Sequence, residues 1–153
     1  MADYVGDALG GPLDGDAVHP MDSKLKCIIV TPESTVVDEW ADFVVLPLYD
    51  GEIGIGPLHT PLIGRLGYGE MRIRNGDVSR RWFVDGGFVE VAADVVSVLT
   101  SRAIPAEKID PAVAEEELRA AQARTANSEA LIAERERAEN RARAQLRVAS
   151  HAR

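Results

Sequence analysis

Catalysis needs nucleophiles, acid–base pairs or metal ligands at workable spacing, and this chain is poor in all three. It has three histidines (His19, His59 and His151) and one cysteine, Cys27. Neither set has the spacing of a metal site. No G-x-S-x-G elbow and no G-x-x-x-x-G-K-[ST] loop occurs. The run Gly51-Glu52-Ile53-Gly54-Ile55-Gly56-Pro57 is the nearest thing to a phosphate loop. It lacks the G-x-G-x-x-G spacing, and Pro57 falls where a helix should begin. Cys27 lies in an apolar run and reads as a small buried hydrophobe; Trp40 and Trp82 read as core or rim. What the glycine-rich run offers instead is stiff exposed surface. Gly51, Gly54 and Gly56 permit tight backbone geometry and leave Glu52 on a loop tip, while Pro57 and Pro61 bracket His59. The chemistry expected here is recognition of another protein, without turnover, cofactor or metal.

The elements that would hold such a loop are strands. Residues 23–100 break into short apolar runs: KLKCIIVT, STVVDEW, ADFVVLP, PLIGRL, EMRIR, VSRRWFV, FVEV and VVSVLT. Their spacing of about 8–12 residues suits an all-β sandwich or barrel. Met71 and Ile73 alternate with Arg72 and Arg74, so one face is buried and one wet. Asn75-Gly76 predicts a hairpin with both residues at positive φ. No long helical pattern separates the strands, which argues against a parallel βαβ sheet.

The ends differ from this middle. Residues 1–20 are Asp- and Gly-rich and have little to bury; they read either as upstream of a true start at Met21 or as a disordered extension. From Asp110 the composition turns to Ala, Glu and Arg, strong helix formers. Asp110-Pro111 suits a helix start, and Asn127 or Ser128 can cap a second helix. Two helices of about 16 and 20 residues are expected, packed as an antiparallel hairpin. Glu115 with Arg119 and Glu139 with Arg143 stand at favourable i,i+4 spacing. The expected seam sets Ala114, Leu118 and Ala121 against Leu131, Ala138, Ala142, Leu146 and Ala149. Such alanine packing is worth only about 0.8 kcal/mol per buried methylene-sized group, so the arm should be loosely held. The expected organisation is an acidic extension over 1–21, a β-sandwich docking domain over 22–104 and a two-helix arm over 105–153.

Charge and hydropathy narrow the partners. With a net charge of −8 the chain has no reason to bind nucleic acid, and an anionic membrane face would repel it. No apolar run reaches the roughly 20 residues that span a bilayer, and the acidic start is unlike a signal peptide. Membrane association is expected only through a protein partner. One cysteine excludes an intramolecular disulfide.

The stretch GEIGIGPLHTPLIGRLGYGEMRIR, 51–74, followed by DGGFVEVAADVVSVLTSRAI, 85–104, resembles the signature of the epsilon subunit of F-type ATP synthases. The block Gly86-Gly87-Phe88-Val89-Glu90-Val91 is intact, while Asp85 stands where the family more often has Ser or Thr. The resemblance runs over about 24–149. It implies a non-catalytic central-stalk subunit on the cytoplasmic face of the bacterial inner membrane, serving proton-driven ATP synthesis, although the coupling ion is chosen in the membrane ring. It implies that Gly51, Glu52 and Ile53 meet subunit c of that ring, and that Pro57, Leu58 and His59 contact the gamma subunit. For His59 a purely structural role, bonding the turn, stands beside this. It further implies an arm that extends into the catalytic head and blocks hydrolysis, with Arg135, Arg137, Arg141, Arg143 and Arg147 facing acidic loops of the alpha and beta subunits; a solvated helix face is the plain alternative. Some family members bind ATP on the folded hairpin through [IL]-D-x-x-R-A. Here Ile109, Asp110 and Ala114 match, but Val113 replaces the arginine, so a phosphate-facing charge is missing.

Overall fold

The computed structural model describes residues 24–152. The acidic segment and His19 lie outside the described residues. Eight strands come first: β1 (Leu25–Val30), β2 (Thr35–Ala41), β3 (Phe43–Leu48), β4 (Gly51–Ile55), β5 (Leu62–Asn75), β6 (Val78–Ala92), β7 (Val95–Leu99) and β8 (Ala103–Pro105). A 3₁₀ turn (Ala106–Lys108) leads to two helices, α1 (Pro111–Gln122) and α2 (Glu129–His151). The strands form one hydrogen-bonded path in the order β2-β1-β7-β6-β5-β3-β4, with β8 added to β6. The path folds over because β6 changes partners along its length: Trp82–Val84 pair with β8, and Phe88–Ala92 with β7. A sandwich results, as the strand spacing predicts. Its core takes Leu25, Cys27 and Ile29 from β1, Met71 and Ile73 from β5, and Val96 and Val98 from β7, all buried at alternate positions.

Two expectations about the strands need correction. PLIGRL and EMRIR are halves of one 14-residue strand, and VSRRWFV and FVEV belong to one 15-residue strand. Glycine between the halves does not break them. A Cβ on Gly67 would lie 2.8 Å from the Leu48 carbonyl oxygen, so that glycine admits a neighbouring backbone. The hairpin at Asn75 forms, but its central residues are Gly76 and Asp77, and of that pair only Gly76 has positive φ (62°). Asn75 stays in the ladder, where its side chain accepts from Lys24 Nζ at 2.5 Å and donates to the Trp40 carbonyl at 3.2 Å.

The turn that does hold two residues at positive φ is Ala93-Asp94, between β6 and β7 (φ 49° and 61°). Alanine there opposes its own Cβ sterics, a cost of about 1–2 kcal/mol. Asparagine tolerates this region better. Ala93→Asn is expected to raise thermal stability by about 0.5–1 kcal/mol, read by calorimetry; an unchanged or lower melting temperature would contradict the strain.

The helices start as the sequence implies. Asp110 accepts from Ala112 N at 3.0 Å with Pro111 at the first position, and Ser128 caps α2 through Leu131 N at 3.2 Å. Their lengths differ from expectation, 12 and 23 residues. Because α1 stops at Gln122, the first turns of α2 have no helix opposite them, and Leu131 is exposed rather than in the seam. Ala114, Ala121 and Ala142 are buried as expected, and Ala149 is buried too, but in the contact with the sandwich. Arg119 pairs with Glu116, not Glu115, at 2.7 Å, whereas Glu139 does bond Arg143 at 3.1 Å. A second small cluster seats the arm: Phe83, facing away from the main core, with Ala106, Ile109, Ala144, Val148 and Ala149.

Candidate docking surfaces

Gly51, Glu52 and Ile53 are not a loop but the start of edge strand β4, which pairs with β3 on one side only. The pairing Leu48↔Gly51 closes a tight turn at Tyr49-Asp50. Glu52 remains exposed there, with Arg72 Nη2 at 3.3 Å, while Ile53 leans on the core. The Pro57–Pro61 turn follows β4, so Glu52 and His59 sit towards opposite ends of this strand. His59 is half-buried, and its Nδ1 donates to the Thr60 carbonyl at 2.7 Å, which makes it a turn-stabilising residue.

Leu58 beside it is 88% exposed and has φ 64°. Its N–H donates to Asp94 Oδ1 at 2.6 Å, tying the turn to the strained β6–β7 corner. Beyond this expected contact residue, sequence reasoning missed three further outward apolar side chains. Ile63 (78% exposed), Phe88 (59%) and Leu99 (52%) project outward from β5, β6 and β7. Phe88 lies directly opposite Leu99 and diagonal to Ile63 in the strand register. Diagonal neighbours are within reach of long side chains. The signal was present: Phe88-Val89-Glu90-Val91 is apolar on its core-facing positions and keeps an aromatic on the other face, as strands covered on both sides do.

The five arm arginines are dispersed around α2. Arg143 and Arg147 are exposed. Arg135 donates to the Arg124 carbonyl at the end of α1, at 3.4 Å. Arg137 lines a cavity of about 520 Å³ between α2 and the sandwich, together with Arg65, Tyr49 and Arg141. Arg141 faces the sheet: Nε donates to Asp85 Oδ1 at 2.6 Å and the guanidinium lies 4.8 Å from the Tyr68 ring centroid. Burial disfavours its charge, but the Asp85 carboxylate outweighs this and raises its pKa. Near the end of α2, His151 pairs with Glu70, which also accepts from Arg72 and Arg81. Burial pushes the Glu70 carboxyl up, yet these donors together bring it below the usual glutamate range. Of the nucleotide-type residues, Ile109 is buried in the arm seat, Asp110 is the α1 cap and Ala114 is fully buried in the seam.

Residues 24–106 match the family model of the ATP synthase delta/epsilon chain β-sandwich domain. That match covers more than half of the chain and the whole run of strands. The chain belongs to the epsilon-chain family of F-type ATP synthases. The ATP synthase epsilon chain of Rhodopirellula baltica is 52% identical over 86 residues, which cover 56% of this chain and 67% of that one. The epsilon chain of Symbiobacterium thermophilum is 43% identical over 125 residues, covering 79% of this chain and 89% of its own. The second alignment spans too much of the chain to stop at the sandwich, so the likeness to epsilon chains reaches the arm. Among solved structures, a chain of the Euglena gracilis mitochondrial ATP synthase superposes with a TM-score of 0.73 over 90% of this chain and 86% of that one, at 23% identity. At that identity the likeness is one of fold.

Proposed function

We propose that this epsilon chain is a non-catalytic central-stalk subunit that joins the gamma subunit to the membrane ring of subunit c, and that its helical arm restrains ATP hydrolysis. The observation that carries the docking reading is the apolar stripe of Leu58, Ile63, Phe88 and Leu99 on a sheet whose other face is already the core. Large apolar side chains grouped on an outward face mark a surface meant to be covered; Glu90 opposite Ile63 and Arg65 opposite Phe88 add charge beside them. The gamma subunit would cover the stripe together with Pro57, Leu58 and His59. The c-ring would meet Gly51, Glu52 and Ile53 towards the other end of β4, where the exposed Glu52 carboxylate suits polar loops. Two surfaces separated by one short strand suit a part that bridges two partners. Among the described residues no helix is long and apolar enough to cross a membrane, and the chain would reach the cytoplasmic membrane face through these partners.

The inhibitory reading rests on how lightly the arm is seated. Its apolar contact with the sandwich gathers three alanines, Ile109 and Val148 around one Phe83, and α2 at about 1.5 Å per residue is about 34 Å long. Such an element can move to a partner that offers a better surface. Arg143 and Arg147 are exposed and would meet acidic loops of the alpha and beta subunits, Arg143 by giving up Glu139 of its own helix; Arg141 must first leave Asp85. Deleting residues after Ala106 is expected to raise the ATPase rate of the assembled complex severalfold while co-elution with gamma persists. An unchanged rate would remove the brake, and lost co-elution would remove the docking role of the sandwich. The ATP-sensing alternative has less support, since Ile109, Asp110 and Ala114 are engaged in packing and capping and Val113 points no charge at a phosphate.

A further inference from the structure

Asp85 sits on β6 just before the glycine bend, with a side chain only 9% exposed. Its backbone is fixed on both sides. The N–H donates to the Thr100 hydroxyl at 3.0 Å and the Arg102 carbonyl at 3.1 Å, and the carbonyl accepts from the Ser101 hydroxyl at 2.8 Å. The carboxylate is therefore aimed by the sandwich alone. Oδ1 takes Arg141 of α2, while Oδ2 stands 3.7 Å from Arg102 Nε in the β7–β8 connection. Arg102 in turn lies 3.8 Å from Glu117 of α1, and Glu117 accepts from Gln145 of α2 at 2.9 Å. Tyr68, directly across from Asp85 in the β5–β6 ladder, forms the floor on which the Arg141 guanidinium lies.

We propose that Asp85 is an internal latch, a built-in counter-ion that holds Arg141 and Arg102 and locks the folded arm onto the sandwich without any bound ligand. Both arginines line a cavity of about 380 Å³ between α1, α2 and the sheet, together with Asp85 and Glu117. Asp85 and Glu117 already neutralise them. The apolar seat around Phe83 supplies non-directional attraction, whereas the ion pair selects the one helical register that puts Arg141 over Tyr68. Removing Arg141 leaves the buried Asp85 carboxylate, and removing Asp85 leaves the half-buried Arg141 guanidinium, short of a counter-ion, so neutral variants should favour the detached arm. The His151–Glu70 pair, ten residues further along α2, ties the end of the helix to β5. The latch is a property of the free chain and is independent of whether the arm brakes an assembled complex.

The test is limited trypsin digestion of the full chain, because cleavage of a briefly opened segment follows its open population. Asp85→Asn, which keeps the side-chain shape, is expected to speed cleavage after Arg143 and Arg147 about tenfold, the factor given by about 1.4 kcal/mol. Arg141→Gln, on the helix and outside the main core, should speed it by a similar factor and keeps the test available if the strand variant misfolds. The paired reversal Asp85→Arg with Arg141→Asp should slow cleavage again. Millimolar pyrophosphate should leave the wild-type rate unchanged and slow the Asp85→Asn chain, whose Arg141 has lost its carboxylate partner. Equal cleavage of wild type and both single variants, or protection of the wild type by pyrophosphate, would overturn the latch.

Discussion

Replacing Gly87 with alanine is expected to cost the protein about 4 kcal/mol or more and to lower its melting temperature by about 10 °C or more. Gly87 has φ 103°, a conformation close to exclusive to glycine. A Cβ there would fall 1.9 Å from the Leu99 carbonyl oxygen and 3.0 Å from the Thr100 Cα. Both neighbours are backbone, so no side chain can turn aside. Relief would require the end of β7 to leave β6, and with it the Phe88↔Leu99 pairing, part of the outward apolar stripe. Gly76→Ala is the control. Gly76 also has positive φ (62°), but a Cβ there meets nothing within 4 Å. Its cost should stay near the 1–2 kcal/mol of backbone strain alone. Thermal unfolding of the two variants side by side checks the argument: similar melting temperatures would show that β7 yields easily and that the bend is not sterically set.

The same bend marks where sequence reasoning stopped. Alternation in Met71-Arg72-Ile73-Arg74 declared a strand with one buried face, and the structure buries Met71 and Ile73. Local cap chemistry at Asp110 and Ser128 was legible because a cap and its target are two or three residues apart. The continuity of β5 and β6 was not, since glycine reads as punctuation when its neighbour in space is unknown. Glu52 was legible as exposed; its place on an edge strand depends on pairing with Pro47, which composition does not reveal. The apolar stripe was half legible. Phe88 could be assigned to a strand but not to a face, because that assignment needs the register against β5 and β7. Asp85 showed only as a departure from a family pattern, for its partner Arg141 is 56 residues away.

Phe83→Ala tests whether arm and sandwich are one cooperative unit or two. Phe83 is fully buried, yet it belongs to the cluster with Ala144, Val148 and Ala149 rather than to the main core, where its neighbours Trp82 and Val84 point. Truncating a buried phenylalanine costs about 3–5 kcal/mol. Most of that loss falls on the junction, because Phe83 is the largest buried side chain of a cluster otherwise made of Ile109, Val148 and three alanines. The expected result is detachment of α2 with the sandwich intact. In hydrogen exchange, amides of α2 facing the sheet should lose protection by several powers of ten, while those of β1 and β7 keep theirs. Loss of protection in β1 to the same extent would mean that the arm is part of the folding core. A brake that must release could not be built that way, since releasing it would melt the body that docks. Placing the one large anchor on the far side of β6, and leaving the ion pair at Asp85 to choose the register, separates attachment from folding.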